Sequence, residues 1–199
     1  IVGLSCPTIQ KIGDETYSDK PLNRISYVPR AKSIEMNTLS SLIEYIKSGV
    51  DKMDGKMIVH IQSPAKVQLY SSLDAERKRE VIAEAVAQVP DFRFSQFYDH
   101  ESFCIGLQSK FVNDYATDRA LLLRFAGTVE SGTVAEYGDD GISQKATVKT
   151  GVASKSEAIV PNPVNLKPFR TFMEVEQPMS QFVFRMKDVG GVHCALFEA

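Results

Sequence analysis

Apolar positions recur with two different periods along the chain. Ile9-Gln10-Lys11-Ile12 and Thr16-Tyr17-Ser18 alternate on either side of Gly13-Asp14-Glu15, which predicts a small hairpin. Lys20 to Arg30, framed by Pro21 and Pro29, reads as an extended connector. Asn37 or Thr38 can then cap a helix whose apolar positions Leu39, Leu42, Ile43 and Ile46 have helical spacing, with Gly49 as its stop. Met57 to Ile61 and Val67 to Tyr70, joined at Ser63-Pro64, predict a second hairpin. Asp74 is expected to cap a second helix that buries Val81, Ile82, Ala85, Val86 and Val89 and ends at Pro90. A third, capped by Asp99, carries Phe103, Leu107 and Phe111 four residues apart.

From Ala120 onward the texture becomes β-like. Leu121 to Phe125, Thr133 to Tyr137, Ile142 to Val148, Phe169 to Val175, Phe182 to Met186 and Val192 to Phe197 are short runs separated by Gly, Pro, Asp and Ser. Gly138-Asp139-Asp140-Gly141 and Gly190-Gly191 supply hairpin turns. The expected class is α+β, with three helices in the N-terminal half and an antiparallel, hairpin-built sheet in the C-terminal half. One domain over 1–199 is expected, with a hairpin and connector at 1–30, a helix-bearing part at 31–115 and a β-rich part at 120–199. The start at Ile1 and the apolar end at Cys194 to Phe197 suggest a fragment whose parent continues beyond Ala199.

Composition narrows the setting. A hydrophobic fraction of 43% and a charged fraction of 24% over 199 residues suit a globular core that needs no metal or disulfide. The net charge of −2 comes without a block of like charge, so nucleic acid is not favoured as a partner, nor is an anionic membrane. Three cysteines, Cys6, Cys104 and Cys194, are odd in number and far apart, which points to a reducing, cytoplasmic compartment. No apolar run approaches the roughly 18 residues of a membrane span.

Chemistry-bearing residues are few. His100 and Cys104 share a helical face at i, i+4, but two ligands do not make a zinc site, and neighbours His193 and Cys194 point to opposite faces of a strand. No cofactor, metal site or catalytic residue is expected: a hydrolase elbow, a zincin helix and a phosphate-binding loop are all missing from the sequence. Glu174 and Glu176 could join Asp139 and Asp140 around a metal, as in a nuclease, although the lysine that usually follows such a strand acid is replaced in Glu174-Val175-Glu176. Along Pro168 to Glu176, alternation sends Phe169, Thr171, Met173 and Val175 one way and Arg170, Phe172, Glu174 and Glu176 the other. The second set, with Asp139 and Asp140, is the candidate binding surface. Phe182 and Phe184 share a face that suits core packing better than base stacking.

Several ordered phrases go together: Arg30-Ala31-Lys32, Asp139-Asp140-Gly141-Ile142-Ser143-Gln144, Asn162-Pro163-Val164, Pro168-Phe169-Arg170-Thr171-Phe172, Glu176-Gln177-Pro178 and Ala195-Leu196-Phe197-Glu198-Ala199. In these the chain resembles a family of proteins carried by phages and prophages of Gram-positive bacteria. The resemblance implies life inside a bacterial host cell and supplies no catalytic residues. The leading expectation is a non-enzymatic accessory protein that binds a phage or host protein and forms a homo-oligomer through exposed sheet edges. Three alternatives stay open. One is a single-strand nucleic-acid factor using Lys145, Lys149, Lys167 and Arg170; another is an anti-defence protein that captures a host protein or nucleotide signal; the third is a metal-dependent, nuclease-like enzyme.

Overall fold

The computed structural model describes residues 8–19, 30–53, 55–135, 144–149 and 155–199. Cys6, most of the Lys20 to Arg30 connector and the Gly138 to Gly141 turn with Asp139 and Asp140 lie outside them. By backbone proximity the chain divides into two units, Ile1–Lys32 and Ser33–Ala199. In the first, β1 (Ile9–Ile12) and β2 (Glu15–Ser18) pair antiparallel, Ile9 opposite Ser18 and Ile12 opposite Glu15. Gly13 closes the turn at a φ of 65°, a left-handed conformation that costs glycine nothing.

The second unit opens with β3 (Ile34–Met36), α1 (Leu39–Ser48), β4 (Ile58–Ser63), β5 (Lys66–Tyr70) and β6 (Val81–Val86). The strands form one sheet in the order β3-β6-β5-β4, parallel between β3 and β6 and antiparallel elsewhere. Helix α1 starts and stops as its sequence predicts. The Thr38 hydroxyl accepts from the Ser41 N–H at 3.1 Å, and Gly49 ends the helix in the left-handed region. Leu42 of α1 packs with Val67, Leu69, Ala83, Ala85 and Phe172 in a small core.

The helix expected over 74–90 is instead a turn and strand β6. The Asp74 carboxylate accepts from the N–H groups of Glu76 and Lys78 at 2.9 and 2.8 Å, the chemistry of a helix cap. The chain then reverses through Arg77, whose φ is 60°, and enters β6. There the buried residues alternate: Ala83 and Ala85 face the core while Glu84 leaves it to meet Lys66 at 2.8 Å.

The rest of the unit holds β7 (Tyr98–Asp99), α2 (His100–Lys110), α3 (Arg119–Thr128), β8 (Val129–Ala135), β9 (Lys145–Lys149), β10 (Lys155–Ile159), β11 (Val164–Leu166), β12 (Ser180–Asp188) and β13 (Val192–Glu198). They build two antiparallel sheets, ordered β11-β12-β13-β7 and β10-β9-β8. On the first, the register places Phe184 opposite Leu196 and Met186 opposite Cys194, and all four are buried. Phe103 and Leu107 of α2 and Leu122 and Phe125 of α3 complete this larger core, with the Phe103 and Phe184 rings stacked at 5.5 Å. Each such side chain contributes about 1.5–3 kcal/mol by leaving water. The Arg119 guanidinium donates to the carbonyls of Leu107 and Gln108 at 2.7 and 2.9 Å, satisfying acceptors that the end of α2 leaves open.

The α+β class therefore holds, while its arrangement along the chain differs from expectation. A four-stranded sheet occupies part of the region read as helical. Leu121 to Phe125, read as a strand, belongs to α3, where Leu122, Phe125 and Ala126 are buried at helical spacing. Phe169 to Val175, also read as a strand, forms no strand.

Candidate functional site

Segment 167–179 carries four of the six residues picked from the sequence. It begins against the end of α2, where the Phe169 N–H donates to the Lys110 carbonyl at 3.0 Å and the Val112 N–H to the Lys167 carbonyl at 2.9 Å. Beyond Phe169 the chain folds around the buried side chain of Gln177. The Gln177 Oε1 accepts from the N–H groups of Arg170 and Thr171 at 2.8 and 3.2 Å, and its Nε2 donates to the carbonyls of Phe172 and Val175 at 3.0 Å each. One side-chain amide thus makes backbone bonds of the kind that a neighbouring strand would otherwise supply.

Because the segment is a turn rather than a strand, Arg170, Phe172, Glu174 and Glu176 do not share a face. The Arg170 guanidinium lies 5.2 Å from the centre of the Phe94 ring and 5.7 Å from that of Phe182, and it pairs with Glu198. Phe172 is buried in the core beneath α1. The Glu174 carboxylate reaches the N-terminus of α1, accepting from the Ser40 N–H at 3.0 Å and the Leu39 N–H at 3.4 Å. The Ser40 N–H is the largest cause holding the Glu174 carboxyl below its ordinary range. Glu176 pairs with Lys167 at 3.1 Å, and Lys167 also meets Asp114 at 2.9 Å. Those two bonds, Asp114 first, hold the Lys167 ammonium above its usual range.

Glu174 and Glu176 are each engaged with a different partner, Asp139 and Asp140 lie outside the described residues, and among the described residues no group of three or more His, Cys, Asp or Glu is gathered as metal ligands would be. Lys167 and Arg170 each hold a carboxylate, which reduces what they offer a phosphate backbone. The side chains of Lys145 and Lys149 lie outside the described set.

His100 and Cys104 do share one face of α2, with Nε2 and Sγ 3.7 Å apart. His100 Nε2 also faces the Ala126 carbonyl at 3.0 Å, so that nitrogen carries the proton and is no base for the thiol. Burial raises the Cys104 thiol, and Cys194 is pushed up to about 12 by burial first and by Cys104 second. Both thiols stay protonated near neutral pH, the opposite of an activated nucleophile.

The sheet β3-β6-β5-β4 ends at β4, which pairs with no other described strand than β5. All six residues of β4 are exposed. The register puts Val59 opposite Leu69 and Ile61 opposite Val67, so both lie on the face that forms the small core. Helix α1 packs mainly against β3 and β6, and Val59 is 57% and Ile61 73% exposed. Ile58, on the other face, is 42% exposed. The signal was present in the sequence: Ile58 to Ser63 contains no Lys, Glu, Asp, Arg or Pro to guard an edge. Compared with known proteins, the chain matches no family model, no curated protein and no solved structure.

Proposed function

We propose that this chain is a non-enzymatic accessory protein of a phage or prophage, working in the bacterial cytoplasm by binding, as a self-associated unit joined through β4. The observation that carries the association is the uncharged edge strand with Val59 and Ile61 exposed on a core-forming face. An unpaired strand edge presents a row of backbone donors and acceptors, and natural edges usually carry charge or Pro to repel a partner. This one carries neither.

Self-pairing about a two-fold axis normal to the sheet suits the strand. With His60 at the axis, Val59 of one copy lies opposite Ile61 of the other, and each apolar side chain gains an apolar neighbour. No like charges meet, because the strand has no acidic residue and no Lys or Arg. The phage setting rests on the ordered phrases quoted above.

Size-exclusion chromatography with light scattering tests the association. A dimer is expected at micromolar concentration, and Ile61→Lys should yield a monomer with an unchanged circular dichroism spectrum. A wild-type monomer, or an Ile61→Lys dimer, would overturn this reading.

A further inference from the structure

A cleft of about 330 Å³ lies where 89–94 passes the end of α2 and the turn at 168–170. Its apolar lining includes Phe92, Phe94 and Phe169, with Pro90 and Pro168 beside them. The Phe92 and Phe94 rings lie 5.2 Å apart, and both meet the Phe111 ring edge-on. Phe92 packs close against α2 at Gly106, where a Cβ would stand 3.1 Å from the ring. These contacts hold the aromatic surface in place without any ligand.

The charges around the cleft do not cancel. Arg170 is matched by Glu198, and the Asp91 carboxylate is matched by Arg93 at 3.5 Å. Lys110 donates its ammonium proton to the backbone carbonyl of Asp91, and among the described residues no carboxylate pairs with it. One positive charge therefore stands beside an aromatic surface, with ammonium protons left over for an acceptor. The volume is at the low end of ligand sites, which span about 300–1,000 Å³, so it suits one or two fused rings rather than a large cofactor.

We propose that this cleft binds a small aromatic carboxylate, its ring against Phe92, Phe94 and Phe169 and its carboxylate on Lys110. The cleft shares no residue with β4, so its test is independent of self-association. The chain contains no Trp, so indole fluorescence reports the ligand alone. The probes are indole-3-acetate and tryptamine, which share the ring and differ in the charge they carry, with phenylacetate as a smaller competitor. Fluorescence anisotropy is expected to rise saturably with indole-3-acetate, phenylacetate to reverse the rise, and tryptamine to bind at least about tenfold more weakly, the scale of one charge-assisted hydrogen bond. Lys110→Met should weaken indole-3-acetate about tenfold and Lys110→Arg should restore it. Equal binding of the two indoles to the wild-type chain, or no saturable binding of either carboxylate at millimolar concentration, overturns the proposal whatever the variants do.

Discussion

The two cores of Ser33–Ala199 are built to different standards of closure. The larger, around Phe103, Phe184 and Leu196, includes α2, α3 and strands from both C-terminal sheets, and its strand residues Phe182, Phe184, Met186, Cys194 and Leu196 are buried. The smaller, around Leu42 and Leu69, has a single ten-residue helix over a four-stranded sheet, and the helix leaves one edge of the apolar face bare. A core whose sheet is covered by helices along its apolar strand residues contributes stability and leaves little of that face for a second chain to cover. One that leaves Val59 and Ile61 in water gives up some stability and retains a surface that a second molecule can cover.

The contrast is sharpest for single large side chains. Phe184→Ala should cost about 3–5 kcal/mol, read as a lower urea midpoint, because the enclosing elements cannot collapse into the space. Phe172→Ala should cost about 3 kcal/mol, the low end of that range, since the smaller core has room to adjust. Its loss should appear first as faster amide exchange in β5 and β6, with α2 and β12 still protected. Uniform loss of protection across both regions would show that they form one cooperative core and would break the comparison.

A smaller effect separates the two through pH. The Ser40 N–H holds the Glu174 carboxyl below its ordinary value in the folded chain. A carboxyl depressed on folding adds stability above its unfolded value, and that contribution is lost as pH falls through the folded value. Between about pH 5 and pH 3, amides at the start of α1 should therefore lose protection in the wild type more steeply than in Glu174→Gln. Equal slopes would mean that the contact contributes nothing in solution.

Much of this architecture was legible where two independent cues agreed. Helix α1 has its Thr38 cap, its apolar spacing and Gly49; α2 has Asp99, whose carboxylate accepts from the Ser102 N–H at 2.9 Å, and Phe103 and Leu107 one turn apart. Errors arose where one cue served two structures. Asp74 makes the same bonds in a tight turn as at a helix start, and Val81, Ile82, Ala85 and Val86 fit either period. Side-chain branching could have decided both cases: Val81, Ile82 and Val86 are β-branched, whereas Arg119 to Gly127 contains no β-branched residue and is helical. The candidate surface failed for another reason. Alternation over Phe169 to Glu176 resembles a strand, but the bonds that shape it come from the side chain of Gln177 just beyond it, a side-chain-to-backbone arrangement that a period of apolar positions does not reveal.

Gln177 also has a consequence for the order of folding. The turn it organises lays Arg170 on the rings of the larger core and inserts Phe172 into the smaller one, so both surfaces must exist before the turn can find its place. Its contacts are therefore expected to form after the rate-limiting barrier. Gln177→Ala should accelerate unfolding and leave the folding rate nearly unchanged, which the two arms of a denaturant rate plot would separate. This turn is then a late fastener, governing how long the folded chain lasts rather than how fast it forms.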